Sequence, residues 1–310
     1  MVGSSPPLRK LLDMVEKVGK SDVAVLLQGE SGTGKELVAR LIYGVKGKGQ
    51  FVPVDCGALP TTLVESELFG HERGAFTGAV ASRPGLLQKA HDGTAFFDEV
   101  GELPADAQAK LLRALQQREI RSVGSDRTRP CEFRLIAATN RNLAQEVKDG
   151  RFRLDLYFRI NVITLEVPPL RERKEDIPAL VRFFLAKSGH SHYRVPQPLL
   201  TAMAQHNWPG NVRELENCVA RLVALSSDDT LHVEHLPRWE TEVAPPCERP
   251  AVPAEPKHED SPRPAMSLDG AERAAIERAL SAANGKINEA AKLLGINRST
   301  LYRRRRYYGL

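Results

Sequence analysis

The chain has 310 residues, of which 42% are hydrophobic and 27% charged, a composition that fits two or three globular domains. Its longest apolar runs are too short to span a bilayer, and its N-terminus lacks the apolar core of a signal peptide. The four cysteines are too far apart in the sequence for a zinc or redox pair, and they predict reduced thiols in a cytoplasmic protein: Cys56, Cys131, Cys218 and Cys247.

The net charge of +5 is placed unevenly along the chain. Residues 267–310 hold nine Lys/Arg and four Asp/Glu, so residues 1–266 hold 35 of each sign. A basic end is sometimes no more than a solvated tail. The asymmetry favours a small nucleic-acid-binding module attached to a neutral body.

Five short β-rich runs in residues 1–168 are separated by longer, mostly helical stretches: VAVLLQG, FVPVD, TAFFDEV, RLIAATN and VITLEVP. Strands that are continuously apolar and alternate with helices indicate a buried parallel sheet covered on both faces. Residues 1–168 are therefore predicted to form an α/β domain.

Strand signals stop after residue 168, and residues 169–240 are predicted to form an all-helical subdomain. One of its helices is expected to begin with Asp176 as N-cap and Pro178 in the first turn. Residues 241–266 contain seven of the 21 prolines and predict an extended linker. Residues 267–310 then form a separate small all-α domain.

A glycine-rich segment with the spacing G-x-x-x-x-G-K follows the first strand and leads into a helix. Its glycines allow backbone N–H groups to surround a polyphosphate, and the lysine reaches the β and γ oxygens. The order of strand, loop, lysine and helix favours this site over an ordinary glycine-rich turn. The predicted nucleotide-binding residues are Gly29, Glu30, Ser31, Gly32, Thr33, Gly34, Lys35 and Glu36. Glu36 replaces the hydroxyl residue that usually binds Mg²⁺.

Acidic and polar residues at the ends of two other predicted strands suit nucleotide hydrolysis. Asp98 and Glu99 end the run TAFFDEV, where Asp98 would hold Mg²⁺ and Glu99 would polarise the attacking water. Two adjacent acids alone usually mark a solvated turn, but a phosphate loop in the same chain favours the catalytic interpretation. Thr139 and Asn140 end RLIAATN and could orient water near the γ-phosphate.

Three arginines are candidates for contacting nucleotide. Arg153 and Arg159 stand six residues apart, about 120° beyond whole turns if both lie on one helix, so they need not serve the same oxygen. Either one could be an arginine finger, and a surface salt bridge is the alternative for each. Arg213 begins a helix of the helical subdomain, where it could sense nucleotide.

The hexapeptide Gly74, Ala75, Phe76, Thr77, Gly78 and Ala79 places one large apolar ring in a segment too small and flexible to bury it. Phe76 is either buried in a glycine-rich turn or presented as an anchor to a partner.

The basic tail contains three predicted helices separated by glycine turns, the helix-turn-helix pattern. The second is INEAAKLLG, and the third begins near Asn297. The third would enter the major groove of DNA with Arg298, Ser299, Thr300, Tyr302 and Arg303 near its leading end, while Arg304 and the arginines after it would meet phosphates. Apolar residues of the tail are assigned to its core: Ala290, Leu293, Leu294, Ile296 and Leu301.

Read together, the motifs GESGTGKE, ESELFGHERGAFTGA, GTAFFDEV, AATNRNL, FRLDLYFRIN, PLRERKEDI and WPGNVRELEN closely resemble the sigma-54-dependent transcriptional activators. These are NtrC-type bacterial enhancer-binding proteins of the AAA+ ATPase class. The resemblance covers residues 2–237 in order, and the tail is similar to the Fis-type helix-turn-helix that ends many members.

The resemblance implies an α/β AAA+ ATPase with a helical lid, using ATP and Mg²⁺. Lys35 would bind phosphate, Asp98 and Glu99 would serve metal and water, Asn140 would be the first sensor and Arg213 the second. Arg153 and Arg159 match positions from which a neighbouring subunit reaches the nucleotide, which implies a ring, by resemblance a hexamer. The carboxylate of Asp55 replaces an Asn that many relatives carry, and we expect it to repel Glu99 unless it is protonated or bridged.

The resemblance also places residues 74–79 at the tip of a mobile loop that contacts the sigma-54 subunit of RNA polymerase. It implies dimers through the C-terminal domain, enhancer DNA as ligand, and remodelling of the closed promoter complex into an open one. Two other hypotheses are a repressor that acts by DNA occupancy and a AAA+ unfoldase. The intact hexapeptide and Asp98–Glu99 argue against the first, and the DNA-reading tail argues against the second.

Overall fold

The computed structural model describes residues 1–60, 63–76, 78–237, 275–281, 283, 286–294, 301 and 307. They belong to two compact units, Met1–Thr241 and Glu242–Leu310, each with its own apolar core. The predicted linker, residues 241–266, lies outside the described residues.

The first unit opens with an α/β part. Its elements in chain order are α1 (Pro6–Gly19), β1 (Val25–Gln28), α2 (Lys35–Lys46), β2 (Phe51–Asp55), α3 (Val64–Phe69), β3 (Gly70–His71), β4 (Arg83–Pro84), α4 (Leu86–Lys89), β5 (Thr94–Asp98), α5 (Ala105–Gln117), β6 (Glu119–Arg121), β7 (Thr128–Pro130), β8 (Arg134–Thr139), α6 (Leu143–Lys148), α7 (Leu154–Ile160) and β9 (Ile163–Glu166).

The five strands predicted from the sequence form one parallel sheet in the order β2–β5–β8–β1–β9. Successive side chains of β1 point to opposite faces, as the strand geometry requires. Leu26 packs into a core with α3 and α5, whereas Val25 and Leu27 pack against α1 and α2. Both faces of the sheet are therefore covered, and the predicted α/β class is confirmed.

Two antiparallel hairpins were not predicted. β3 pairs with β4, and β6 pairs with β7. Their strands are only two or three residues long, which is too short for an alternating pattern to appear in the sequence.

The helical part of the first unit consists of α8 (Ile177–Lys187), α9 (Gln197–Gln205) and α10 (Asn211–Leu225), with short 3₁₀ turns at Leu170–Glu172, Lys174–Asp176 and Val233–His235. We call residues 169–237 the lid. The lid packs around the fully buried indole of Trp208, whose Nε1 donates to the carbonyl of Met203 at 2.8 Å.

Helix α8 begins after Asp176, as predicted, but the carboxylate of Asp176 does not cap its own helix. Asp176 Oδ1 accepts the N–H groups of Ser4 (2.7 Å) and Ser5 (2.9 Å), and Oδ2 accepts the Ser5 hydroxyl at 2.7 Å. This buried carboxylate ties the segment before α1 to the lid.

In the second unit, residues 275–281 are helical and α11 spans Ile287–Leu293. The core of this unit contains Ala290 and Leu301, both predicted, and Leu294 packs against it. Ile296 and the predicted third helix up to residue 300 lie outside the described residues. Across the described parts of both units, the structure contains no helix with the length and apolar character needed to cross a membrane.

Candidate active site

The phosphate loop, residues 29–34, connects β1 to α2. Gly32 and Gly34 have φ of +76° and +99°, values that favour glycine. Helix α2 then begins at Lys35, so its free N–H groups and positive dipole end face the region that the loop surrounds. Lys35 is nearly buried, and its Nζ donates to the carbonyl of Gly29 at 3.0 Å.

The carboxyl ends of the parallel strands bring the predicted acidic residues to this loop. Asp55 ends β2 and Asp98 ends β5, and the two are partners in the register of the sheet. Together with the loop, they line a cavity of about 470 Å³ that also contacts Glu99, Lys35 and Arg213. Residues from four separate segments of the sequence therefore converge on one site.

Glu99 is held between two elements. Its Oε1 lies 3.2 Å from Lys35 Nζ, and its Oε2 accepts the backbone N–H of Asn140 at 3.0 Å. Asn140 thus contacts Glu99 through its main chain at the end of β8. The hydroxyl of the neighbouring Thr139 accepts the N–H of Arg141 at 3.0 Å.

Asp98 is half-buried and lies beside two further carboxylates, Glu99 and Asp55. Burial raises the pKa of its carboxyl, the charge of Glu99 raises this pKa further, and Lys35 opposes both effects. A cation next to Asp98 would relieve this repulsion. The residues present thus fit a Mg²⁺ ion held by Asp98. The described residues contain no cluster of three or more metal-ligating side chains, so phosphate and water would supply the other ligands.

Glu36 offers no further ligand in this arrangement, because its carboxylate pairs with Arg40 one turn along α2 at 2.8 Å. The sequence predicted repulsion between Asp55 and Glu99, but the contacts of the Asp55 carboxylate are with main-chain N–H groups. Asp55 Oδ1 instead accepts the N–H groups of Gly57 at 3.0 Å and Ala58 at 3.1 Å. The carboxylate is held by the loop that follows its own strand.

Arg213 reaches the site from the lid. It stands in the first turn of α10 and lines the cavity, and its Nη1 donates to the hydroxyl of Ser31 at 3.2 Å. Its position beside the phosphate loop suits contact with a bound nucleotide.

Arg153 and Arg159 are not brought to this cavity. The helical geometry assumed for the pair was wrong, because α7 begins after Arg153, which has extended dihedral angles. Arg153 pairs with Asp155 at 2.7 Å. Arg159 donates to the carbonyl of Leu115 and lines a cavity of about 530 Å³ at the opposite edge of the sheet, next to Arg134.

The surface around α7 also exposes three large apolar side chains at four-residue spacing. Leu154, Phe158 and Val162 are each more than half exposed, at 55%, 67% and 56%. We call this row of side chains the α7 stripe. The sequence analysis did not identify it, although the spacing of the three residues is readable in the sequence.

The hexapeptide lies in the connection between β3 and β4. Phe76 is 38% exposed, and its ring meets the ring of His71 edge to face with centroids 5.1 Å apart. A tight turn is closed by the Gly74 N–H, which donates to Ala79 at 2.9 Å, and by the Ala79 N–H, which donates to Phe76 at 3.0 Å. Thr77 lies outside the described residues.

The β6–β7 hairpin supports this connection. The N–H of Glu72 donates to Val123 at 3.0 Å, and the N–H of Val123 donates to Gly70 at 2.8 Å. Gly124 lies directly beneath Ala75, where an added Cβ would come within 2.8 Å of the Ala75 Cβ. This contact joins segments about fifty residues apart and has no signal in the sequence.

The predicted DNA-contacting residues lie outside the described residues: Arg298, Ser299, Thr300, Tyr302, Arg303 and Arg304.

Comparisons with known proteins match the chain along most of its length. Residues 1–166 match a family model described as Sigma-54 interaction domain. Residues 171–249 match an AAA+ ATPase lid domain, and residues 267–308 match the Fis family of bacterial regulatory proteins.

Two curated relatives show the same extent of similarity. The chain is 45% identical to the transcriptional regulatory protein ZraR of Klebsiella oxytoca, over 97% of this chain and 67% of that protein. It is 44% identical to the Nif-specific regulatory protein of Klebsiella pneumoniae, over 98% of this chain and 58% of that protein. The chain thus spans about three fifths of the length of these relatives.

Among solved structures, NtrX from Brucella abortus in complex with ADP superposes with a TM-score of 0.72 at 30% identity. The match covers 100% of this chain and 69% of that one.

Proposed function

The chain belongs to the family of sigma-54-dependent transcriptional activators, and on this basis we propose that it is an ATP-hydrolysing activator of transcription that works in the cytoplasm. It binds enhancer DNA through residues 267–310 and assembles into a ring, which we propose is a hexamer. ATP turnover in the ring drives residues 74–79 against sigma-54 RNA polymerase and converts the closed promoter complex into an open one.

The convergence of Lys35, Asp98, Glu99 and Arg213 on one cavity carries the proposal. The N–H groups of the phosphate loop and Lys35 bind the phosphates of ATP, and Arg213 contacts them from the lid. Asp98 would hold Mg²⁺, which would supply neutralisation of the charge on the phosphate oxygens. Glu99 orients the attacking water and accepts its proton, while the Asn140 N–H holds the Glu99 carboxylate in place.

The positions of Arg153 and Arg159 support completion of this site by a second subunit. Arg153 and Arg159 do not line it, and both are exposed next to the α7 stripe. Exposed apolar side chains beside exposed arginines are typical of an interface that still needs a partner. We therefore assign both arginines to the nucleotide site of the neighbouring subunit in the ring.

The exposure of Phe76 supports contact with sigma-54. More than a third of its surface is open, and its ring packs edge to face against His71 of β3. Two glycines with positive φ flank the residue, Gly74 and Gly78, and neither has a neighbour within 4 Å of an added Cβ. This freedom suits a segment that moves when the nucleotide changes.

The test is Thr77→Ala in the full chain, with Ser82→Ala at the exposed end of the same connection as control. We expect both variants to hydrolyse ATP at near the wild-type rate, and only Ser82→Ala to form open complexes with sigma-54 polymerase. Open complexes formed by Thr77→Ala at the wild-type level would contradict the proposed mechanism. Regulation that persists in a Glu99→Gln variant would favour DNA occupancy instead.

A further inference from the structure

The lid holds the phosphate loop through the loop's own main chain. Three consecutive carbonyls of the loop each accept a hydrogen bond from the lid: Ser31 from Asn211 Nδ2 at 3.1 Å, Gly32 from the Val212 N–H at 3.0 Å and Thr33 from Arg173 Nη2 at 2.9 Å. In a trans peptide, the C=O and the following N–H point in opposite directions. Fixing these carbonyls therefore fixes the direction of the N–H groups that such a loop presents to phosphate.

Asn211 is the centre of this contact. Its side chain is completely buried, and its φ of +55° is a left-handed conformation that asparagine tolerates better than most residues. Its Oδ1 accepts the N–H of Leu170 at 2.8 Å, and its Nδ2 also donates to Glu30 Oε2 at 3.0 Å. One amide thus joins the first turn of the lid, the start of α10 and the phosphate loop.

Arg171 completes the contact from the surface. Its Nη1 and Nη2 lie 2.8 and 2.7 Å from the two carboxylate oxygens of Glu30, a bidentate pair. Hydrogen bonds from Arg171 and then from Asn211 lower the pKa of Glu30, so this carboxylate stays ionised. Exposed ion pairs alone stabilise little, but this one shares its carboxylate with a buried amide.

The contact also places Arg213, which follows Asn211 by two residues and reaches Ser31. In contrast, the described residues show no hydrogen bond from Arg171 or Asn211 to Asp98 or Glu99. The hydrogen bonds of Arg171 and Asn211 therefore reach the phosphate loop but neither of the two acidic residues assigned to hydrolysis.

We propose that Asn211 and Arg171 are positioning residues that hold the phosphate loop from the lid and set nucleotide affinity separately from the rate of hydrolysis. The inference rests on the proposed function, because it concerns the same site. It predicts that loss of either side chain raises the Kd for nucleotide and the KM for ATP much more than it lowers kcat.

The first experiment measures, on the full chain, the Kd for a fluorescent N-methylanthraniloyl analogue of ADP and the KM and kcat for ATP. Arg171→Ala removes an exposed side chain, so the fold should remain. We expect Kd and KM to rise by about tenfold, the effect of losing one charge-assisted hydrogen-bonded pair, with kcat within about twofold of wild type.

Asn211→Gly removes the amide but keeps a residue suited to the left-handed backbone. Its matched control is Asp92→Gly, which has the same φ of +55° at an exposed position away from the cavity. We expect Asn211→Gly to weaken nucleotide binding at least as much as Arg171→Ala, and Asp92→Gly to leave it unchanged. Circular dichroism melting confirms that each variant is folded.

Asn211→Asp tests the amide donor alone, because aspartate has nearly the same size and shape as asparagine. This variant removes the Nδ2 donor bonds to Glu30, Ser31 and Pro209 and sets a carboxylate against Glu30, so binding should weaken.

Wild-type Kd and KM in both Arg171→Ala and Asn211→Gly would overturn the inference, as would a fall in kcat as large as the rise in KM. A wild-type chain that neither binds the analogue nor hydrolyses ATP would instead overturn the proposed function, and the inference with it.

Discussion

The ammonium group of Lys35 lies 3.2 Å from the carboxylate of Glu99, so the residue assigned to phosphate and the residue assigned to water are paired with each other. A phosphate that attracts Lys35 would release Glu99 from this pair. The N–H of Asn140 would then remain as a fixed point that keeps the freed carboxylate at the end of β8. Nucleotide binding and activation of the base are in this way linked through one ion pair.

Glu99→Gln should separate binding from hydrolysis. The amide oxygen can still accept the Asn140 N–H, but the side chain no longer accepts a proton. We expect the ATPase rate to fall by roughly 10²- to 10⁴-fold, the usual contribution of a general base, with binding of the fluorescent ADP analogue retained. Lys35→Ala should lose both activities. Equal loss of binding in the two variants would contradict the assignment of Glu99.

Asp98→Asn should stabilise the chain without ligand at neutral pH. The pKa of Asp98 is raised above its ordinary value of 3.8, so the folded state binds this proton more tightly than the unfolded state does. The stabilising effect of that proton is present at low pH and is lost as the pH rises through the raised pKa. Above the raised pKa the wild type carries a half-buried negative charge that the asparagine variant lacks.

Thermal melting of wild type and Asp98→Asn from pH 3 to pH 8 checks this sign. The melting temperature of the variant should exceed that of the wild type most at pH values above the raised pKa. This difference should shrink as the pH falls toward the ordinary pKa of 3.8. Asp13→Asn on the exposed side of α1 is the matched control. A wild type that melts higher than Asp98→Asn at pH 7 would contradict the repulsion inferred among Asp98, Glu99 and Asp55.

Gly124→Ala should displace the hexapeptide from the β6–β7 hairpin. The new methyl would lie 2.8 Å from the Ala75 Cβ, in addition to the strain of φ +76°. Gly150→Ala is a close control, because its φ is +73° and nothing lies within 4 Å of its added Cβ. Both variants should lose about 1 kcal/mol of stability from backbone strain. Only Gly124→Ala should increase hydrogen exchange at residues 72–79, and equal exchange in both would show that the contact does not hold the loop.

Phe158→Ser should weaken assembly through the α7 stripe while leaving the fold intact, because 67% of the Phe158 side chain is exposed. We expect the specific ATPase rate of the wild type to rise cooperatively with protein concentration, and the rise to shift to higher concentration in the variant. Sizing chromatography over the same range reports the oligomer. Phe183→Ser, another exposed phenylalanine (45%) in α8, is the control. A concentration-independent rate in both proteins, with unchanged size, would argue against completion of the site by a second subunit.

Much of the α/β fold could be predicted because its signals are local. Each sheet strand is an apolar run bounded by turn residues, and Asp55, Asp98 and Thr139 end such runs. Parallel strands place their carboxyl ends at one edge, so these residues had to lie close together once the sheet formed. The spacing of the phosphate loop added the position of Lys35.

The remaining contacts depend on how surfaces pack, and no sequence spacing encodes them. The amide of Asn211 meets Glu30 across 181 residues, and Asp176 meets Ser5 across 171. The placement of Arg153 on the same helix as Arg159 was also wrong, because α7 begins one residue later, at Leu154. Element boundaries of this kind are set by packing as much as by propensity.

The contact between the lid and the phosphate loop affects how a mutation of Gly32 should be interpreted. A Cβ at this position would lie 2.4 Å from the backbone oxygen of Gly210, in the lid. A glycine in a phosphate loop is usually explained by the space that phosphate needs, but here a neighbouring part of the protein fills that space. A side chain at Gly32 would therefore first push the lid away from the phosphate loop. Loss of ATPase activity in such a variant would reflect this separation rather than a missing contact with phosphate.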